Sequence, residues 1–362
     1  MITHRATFAR PLDWALANSV GLRRKPEAPA RRRDGRALAA VATRPSAPHD
    51  VQLLVQSPPR TRVSAIVPAT NNPETLLRCC DALIASDDPP DEIVVVDSPG
   101  EANPATARNI GADRATGDVL LFVDADVEVR PEAVGKIRAA FDADTSLTAL
   151  FGSYDDSPSA PGVASAFRNL LHHYVHQSAP GPASTFWTGL GAVRRKAFFR
   201  IGGFDQSIAF MEDVDLGMRM SAAGESIVLD PTVQGTHLKR WTVWGMLRTD
   251  VVARGVPWIR ILLRHRNATT SLNLGWRHRL TALMVFVVLA SLVLRNPLTA
   301  LVALGAIVFL NRAFYALLLR RRGLAETAAG IVLHALHHLA CAVSIPIGVF
   351  LHLRDRHRSS HA

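Results

Sequence analysis

The stretch Gly117-Asp-Val-Leu-Leu-Phe-Val-Asp-Ala-Asp126 decides how this chain is read. Its run Val119 to Val123 reads as a strand of an α/β sheet covered by helices. Working outward, Val63–Val67 and Glu92–Val96 read as two more strands, the continuous apolar run of the latter suiting a parallel strand buried on both faces. Between them, Asn72-Pro73 supplies an N-cap and a first helical residue. Leu76, Leu77, Cys80, Leu83 and Ile84 then share one helical face, so Cys80 is expected in the core. Further helices are expected over 105–116 and after Pro131, the latter with Val134, Ile137 and Phe141 inward. Short strands alternating with amphipathic helices predict an α/β domain over 62–246, and such sheets hold ligands at the carboxyl ends of their strands.

At 362 residues the chain exceeds one ordinary domain, and 41 Lys+Arg against 31 Asp+Glu leave a formal net charge of +10. With 48% hydrophobic and 20% charged residues it is neither an intrinsically disordered chain nor a fibrous repeat. Three cysteines, two adjacent (Cys79, Cys80) and one remote (Cys341), build neither a disulfide framework nor a Cys-based zinc site, and fit a reducing compartment. Residues 1–61 stand apart: up to residue 60, eleven Lys/Arg face four acids, which is +7 of the total +10. The segment has no sustained hydrophobic period and no apolar run of the kind a secretory signal needs. It reads as a poorly ordered basic tail, solvated or resting on an anionic surface, with no specific nucleic-acid partner expected.

The three strands end in Pro68-Ala-Thr70-Asn71, Asp97-Ser98 and Asp124-Ala125-Asp126. If the chain stays extended, Asp124 and Asp126 leave the same face. Two hard oxygen donors at one sheet edge suit Mg²⁺ or Mn²⁺, which in turn binds a diphosphate, although an acid pair closing a strand is also a common turn. The pair does not stand alone. Asn103-Pro-Ala-Thr-Ala-Arg108-Asn109-Ile-Gly111 precedes it, and Gly202-Gly-Phe-Asp205 and Glu212-Asp-Val-Asp-Leu216, with Arg219, follow. In this order and spacing the motifs resemble those of the family 2 glycosyltransferases with the GT-A fold, over roughly residues 62–245. The resemblance implies a Rossmann-like, mostly parallel sheet and an inverting transfer from a nucleotide-diphosphate sugar. It places Thr70, Asn71 and Asp97 beside base and ribose, Arg108 near the nucleotide, and Asp124 with Asp126 on metal and diphosphate. Many members carry two Asp after the second strand, whereas this chain has Asp97-Ser98-Pro99, which weakens the reading of base and ribose recognition. Structural roles compete: Asn71 as a helix cap, Asp97 in a turn, Arg108 on a helix surface.

In an inverting transfer a carboxylate beside the acceptor hydroxyl takes its proton as attack proceeds. The resemblance gives that role to Asp213, with Glu212 beside it, and gives the metal the charge on the leaving diphosphate. Two acids are equally an ordinary helix start. Further on, His237-Leu-Lys-Arg240-Trp241 is similar to the Q-x-x-R-W signature of membrane-bound members, with His in place of Gln. That implies His237 as a third metal ligand, Arg240 near the phosphates and Trp241 on the acceptor side; a buried structural His is the alternative. The His argues against a polymer-extruding synthase. A sugar-phosphate nucleotidyltransferase should carry a G-G-x-G-T-R loop after its first strand, and Val67–Asn71 has none. A catalytically inactive scaffold should have lost acids that remain at 97, 124, 126 and 213.

After Trp241 the composition becomes apolar. Residues 247–279 mix Trp258, Ile259, Ile261, Leu262 and Leu263 with Arg254, Arg260, Arg264 and Arg266, as an interfacial helix does, or an amphipathic helix packed on the catalytic domain. Within 280–353, Leu280–Leu294, Pro297–Leu319 and Ala328–Leu351 read as two or three membrane helices. The first spans only about 22 Å and needs Arg279 and Arg295 to snorkel. Residues 354–362 form a short basic tail. His334, His337 and His338 either pack between helices or bind a metal or lipid phosphate. The whole is expected to be a multi-pass protein of the cytoplasmic membrane, its catalytic domain on the cytoplasmic face and its acceptor lipid-linked.

Overall fold

The computed structural model describes residues 60–70, 74–97, 103–265 and 276–359. Asn71, the Asn72-Pro73 cap and most of the N-terminal basic tail lie outside them.

The sequence folds first into β1 (Val63–Pro68), α1 (Leu76–Ile84), β2 (Glu92–Val96), α2 (Pro104–Arg114) and β3 (Val119–Val123). Two short elements follow, β4 (Val127–Val129) and α3 (Ala133–Ala143), and then β5 (Leu147–Tyr154), α4 (Val163–Gln177), β6 (Gly181–Pro182) and β7 (Leu190–Arg194). The domain closes with α5 (Arg195–Ile201), α6 (Glu212–Ala222) and the long β8 (Ser226–His237). The strands form one sheet in the order β2-β1-β3-β7-β5-β8-β4, with β6 paired to β8.

β3 lies at the heart of it, buried throughout. Val119, Leu121 and Val123 enter one core with Cys79, Leu83, Ile137 and Phe141, while Leu120 and Phe122 enter a second with Ala112, Phe198, Leu216 and Met220. The period-2 alternation thus feeds both layers of helices, as a central strand requires.

Three expectations are corrected. The sheet is mixed rather than mostly parallel: β1 runs parallel to β2 and β3, and β5 to β8, but β7 is antiparallel to both β3 and β5, and β4 to β8. The cause is local. The chain before β7 crosses the carboxyl end of β3, where Gly189 O accepts from Asp124 N, so β7 can only run back down. β2 is the sheet edge, with Val95 exposed, rather than a strand buried on both faces. In α1 the buried residues are Cys79 and Leu83, with Leu76 packed alongside. Cys80 is half-buried, and Leu77 and Ile84 are exposed. A nine-residue helix near an edge needs only a narrow i, i+3, i+7 stripe, and burial pushes the Cys79 thiol far above its usual range.

Beyond β8 come α7 (Val243–Arg248), a π-helical turn (Thr249–Gly255), α8 (Val256–Arg264), α9 (Trp276–Val293), α10 (Pro297–Leu310) and α11 (Arg312–Ser359). The uninterrupted segment expected over 297–319 divides at Asn311. This side chain is buried and donates to Thr281 Oγ1 and Ile307 O, bonds that a buried amide requires. Gly323, at φ 78°, breaks α11 in turn, and helix continues through most of the expected C-terminal tail. Before that break Phe314 and Leu318 pack against Phe167 and Leu170 of α4, so this part of α11 belongs to the α/β domain's own packing. α8 lies against α11: a Cβ on Gly348 would stand 2.7 Å from Ile259 Cβ, and Arg260 pairs with Asp355 at 2.5 Å. By length and composition, α9 and α11 are long and apolar enough to cross a bilayer.

Candidate active site

The acids gather where β3 ends. Val127 N bonds Asp124 O, so the Asp124-Ala125-Asp126 tripeptide turns rather than staying extended, and its two carboxylates meet different partners. Asp124 accepts from Arg108 at 2.7 Å. Arg108, on α2, also pairs with Glu212 at the start of α6 and is itself only 5% exposed. Burial alone would lower the Arg108 pKa, but Asp124, Glu212 and Asp213 push it up, so the guanidinium stays charged. The residue expected beside the nucleotide is therefore an internal clamp, joining acids 88 positions apart in sequence.

Asp213 sits behind this clamp. Val214 N donates to its Oδ1 at 2.8 Å, while Thr188 N and Thr188 Oγ1 approach Oδ2 at 3.3 and 3.4 Å. Burial, opposed by Arg108 and these donors, raises the Asp213 carboxyl above its ordinary value, and burial likewise raises Glu212 against the pull of Arg108. The helix start is strained: Met211, just before Glu212, holds φ 67°, a left-handed conformation uncommon for a side chain of this kind. The Gly-Gly-Phe-Asp segment is bonded to the same helix. Arg219 donates to Ile201 O and Gly203 O as well as to Asp215, and Asn109 exchanges two hydrogen bonds with the Phe204 backbone. The family-like motifs thus bond to one another across α2, α5 and α6.

On the other side of the Asp124 turn, Asp126 faces His237. Val127 pairs with His237 between β4 and β8, and Leu238 N donates to Asp126 O, which brings Asp126 Oδ2 to 3.7 Å from His237 Nε2. Burial would raise the Asp126 carboxyl, yet His237 and Lys239 hold it below the usual range. The imidazole is itself fixed by stacking on Tyr154, with centroids 4.3 Å apart and planes 12° from parallel. Donors each about 2.1 Å from one cation stand about 3.0 Å apart at a right angle and about 4.2 Å when opposed, so Asp126 and His237 fit two ligands of a single ion. Among the described residues no three His, Cys, Asp or Glu side chains form a group that could hold a metal, because Asp124 turns to Arg108. Of the expected ligands Asp124, Asp126 and His237, the last two form an open two-donor edge. Such an edge leaves positions for diphosphate oxygens, as Mg²⁺ and Mn²⁺ sites commonly do.

Thr70 and Asp97 close β1 and β2 at the same sheet end, partly buried and exposed respectively. Arg240 is exposed, and Trp241 is partly buried with its ring beneath Lys239 and Arg168. The sequence reading missed the segment Trp187-Thr188-Gly189, which touches everything at once. Trp187 packs on Tyr154 and His172, Thr188 meets Asp213, and Gly189 receives Asp124 N. A Thr-Gly-Leu-Gly run after Phe-Trp is its only local signal. α6 reaches this segment because Gly217 has no side chain: a Cβ there would lie 2.1 Å from Phe186 N.

Residues 98–202 match the sequence model of Glycosyl transferase family 2, and over this stretch the chain is similar to that family. Among curated proteins, the O-antigen biosynthesis protein RfbC of Myxococcus xanthus is 25% identical over 238 residues, covering 53% of this chain and 18% of that protein. The pre-mycofactocin glycosyltransferase of Mycobacterium tuberculosis is 28% identical over 151 residues, covering 40% and 32% respectively. The chain thus spans under a third of the length of these relatives. A mannosyltransferase from Pyrobaculum calidifontis, solved with GDP-Man and Mn²⁺, is 20% identical with a TM-score of 0.46, covering 79% of this chain and 87% of that one.

Proposed function

We propose that this protein is an inverting, membrane-bound glycosyltransferase that moves a sugar from a nucleotide-diphosphate donor to the hydroxyl of a lipid-linked acceptor at the cytoplasmic membrane face. The observation that carries the reading is the buried Arg108 joining Asp124 at the end of β3 to Glu212 beside Asp213. It draws the donor-side acid and the start of α6, which carries the proposed base, together at one end of the sheet. Asp213 takes the acceptor proton as the new C–O bond forms and the bond to the diphosphate breaks. Its raised pKa makes it a better base than a solvated carboxylate, and the Thr188 and Val214 donors aim it. Asp126 and His237 would hold Mg²⁺ or Mn²⁺, which would neutralise charge on the departing diphosphate. Thr70 and Asp97 border the nucleoside, Arg240 meets phosphate and Trp241 lines the acceptor side.

Membrane residence is supported by apolar faces turned outward. On α9, Leu283, Phe286, Leu289 and Leu292 are exposed, and on α10 Leu298, Leu301, Val302 and Phe309. Exposed apolar area of this extent calls for lipid or a partner. The test is to incubate membranes containing the chain with a panel of nucleotide sugars and Mn²⁺ or Mg²⁺ and to identify products by mass. A donor-dependent product lost in Asp213→Asn supports the reading, and turnover undiminished by that change overturns it.

A further inference from the structure

One face of α4 carries buried polar atoms that have no hydrogen-bond partner. Arg168 is 5% exposed and lies against Asp250 at 2.6 Å, yet its Nε has no hydrogen-bond partner. One turn on, His172 Nδ1 is likewise buried without a partner, and so is Asn169 Oδ1 beside it. Facing them, Trp241 lies with its ring 5.6 Å from the Arg168 guanidinium, its backbone N bonded to Ser165 Oγ and its buried Nε1 also unpartnered. Buried donors left unmade cost free energy, and folded proteins keep very few. Two of these atoms are N–H donors, Arg168 Nε and Trp241 Nε1, and His172 Nδ1 is a third in the tautomer that protonates it; together they suit an acceptor group from outside the chain, beside the unpartnered acceptors Asn169 Oδ1 and Asp250 Oδ1.

The charge in this region has the same sense. Asp250 is shared between Arg168 and His337 Nδ1, at 2.8 Å, so it does not neutralise Arg168 alone. Arg254 follows Asp250 by one turn of the π-helical segment, and Lys239 stands 4.7 Å from the Trp241 ring centroid. Burial, with Arg254 as a like charge nearby, pulls the Arg168 pKa down to about 10, so it remains a cation that an anion would relieve. Tyr154 packs against His172 with tilted rings and against His237 with stacked rings, centroids 4.3 Å apart in each case, so the face adjoins the proposed cation edge.

We infer that the Arg168–Trp241 face, with Arg254, is a subsite for an anionic phosphate carried by the acceptor, distinct from the phosphates of the donor. The inference rests on the proposed function and specifies its acceptor: a molecule whose reacting hydroxyl meets Asp213 while a phosphate elsewhere in it is anchored on α4. A lipid phosphate and a soluble phosphomonoester share this chemistry.

The test uses the full chain in detergent with farnesyl phosphate, farnesol and glucose 1-phosphate as probes, and nucleoside diphosphate with Mn²⁺ as a separate binding reference. Farnesyl phosphate should bind at least tenfold tighter than farnesol. Trp241→Phe, which removes Nε1–H together with the pyrrole part of the indole while keeping an aromatic ring, and Arg254→Ala should each weaken it several-fold, and Arg168→Gln tenfold or more. Equal binding of glucose 1-phosphate supports the subsite and assigns a soluble source; much weaker binding assigns a lipid. Equal affinity for farnesol and farnesyl phosphate, or full affinity in both Trp241→Phe and Arg254→Ala, overturns the inference. Failure of the nucleoside diphosphate to bind the unaltered chain instead strikes the proposed function, so the two failures are distinct.

Discussion

Thr188 meets Asp213 twice, its backbone N–H and its hydroxyl both approaching Oδ2, at 3.3 and 3.4 Å. The contact stabilises the ionised carboxylate against the burial that raises its pKa. As a base Asp213 works only when ionised, so activity should climb as pH rises through its pKa. Thr188→Val removes one donor and pushes that pKa further up. The acid limb of the kcat profile should therefore move to higher pH and the rate fall several-fold, while Asp213→Asn should cost about 10²–10⁴ in kcat. Initial rates from pH 5 to 9 check both.

Arg108 holds the half-buried Asp124 and the buried Glu212, and removing it leaves Glu212 without its cation in a site 6% exposed. Arg108→Gln should destabilise the domain by about 3–5 kcal/mol, the usual cost of breaking a buried pair from one side. Arg108→Lys keeps the charge but cannot span both carboxylates, and should fall between. Thermal melts of the two variants beside the unaltered chain read this directly.

His237→Ala removes one of the two donors at the proposed cation edge and also the ring that helps to hold Asp126 below its usual pKa. The Mn²⁺ concentration for half-maximal nucleotide binding should rise about tenfold or more, the scale on which metal sites respond to a lost neighbour. Asp126→Asn should do the same, and a chelator should abolish binding in the unaltered chain. Calorimetric titration of Mn²⁺ in the presence of nucleotide measures each.

Stability at Asp126 depends on pH with a definite sign. Its folded pKa is depressed, so its contribution is full above the ordinary carboxylate range and is lost as pH falls through the depressed value. In His237→Ala that acid-sensitive part should shrink, visible as a smaller loss of melting temperature between pH 6 and pH 3.

Gly217→Ala places a methyl carbon 2.1 Å from Phe186 N, with Thr185 backbone atoms at 2.4 and 2.7 Å, and backbone cannot swing aside as a side chain can. The variant should melt several degrees lower and lose activity as Thr188 moves off Asp213. Gly305→Ala, with nothing within 4 Å, should leave the melting temperature unchanged or slightly raised.

The amino-acid order by itself determined the local elements. Val119–Val123 is a strand because five apolar residues between polar stops satisfy a doubly buried position, and Val134, Ile137 and Phe141 point inward because their spacing fits one helical face. The motif acids were legible for the same reason, each lying close to its own strand or helix end. Only the tertiary structure decided that Cys79 rather than Cys80 is core, that β7 runs against β3, and that Arg108 faces inward to Asp124 and Glu212 rather than outward. It alone brought Trp187-Thr188-Gly189 and the α4 face beside the acids. Periodicity records which way a side chain points from its own element, whereas strand direction, ion pairing and the meeting of distant segments depend on how the elements pack, which no local pattern encodes.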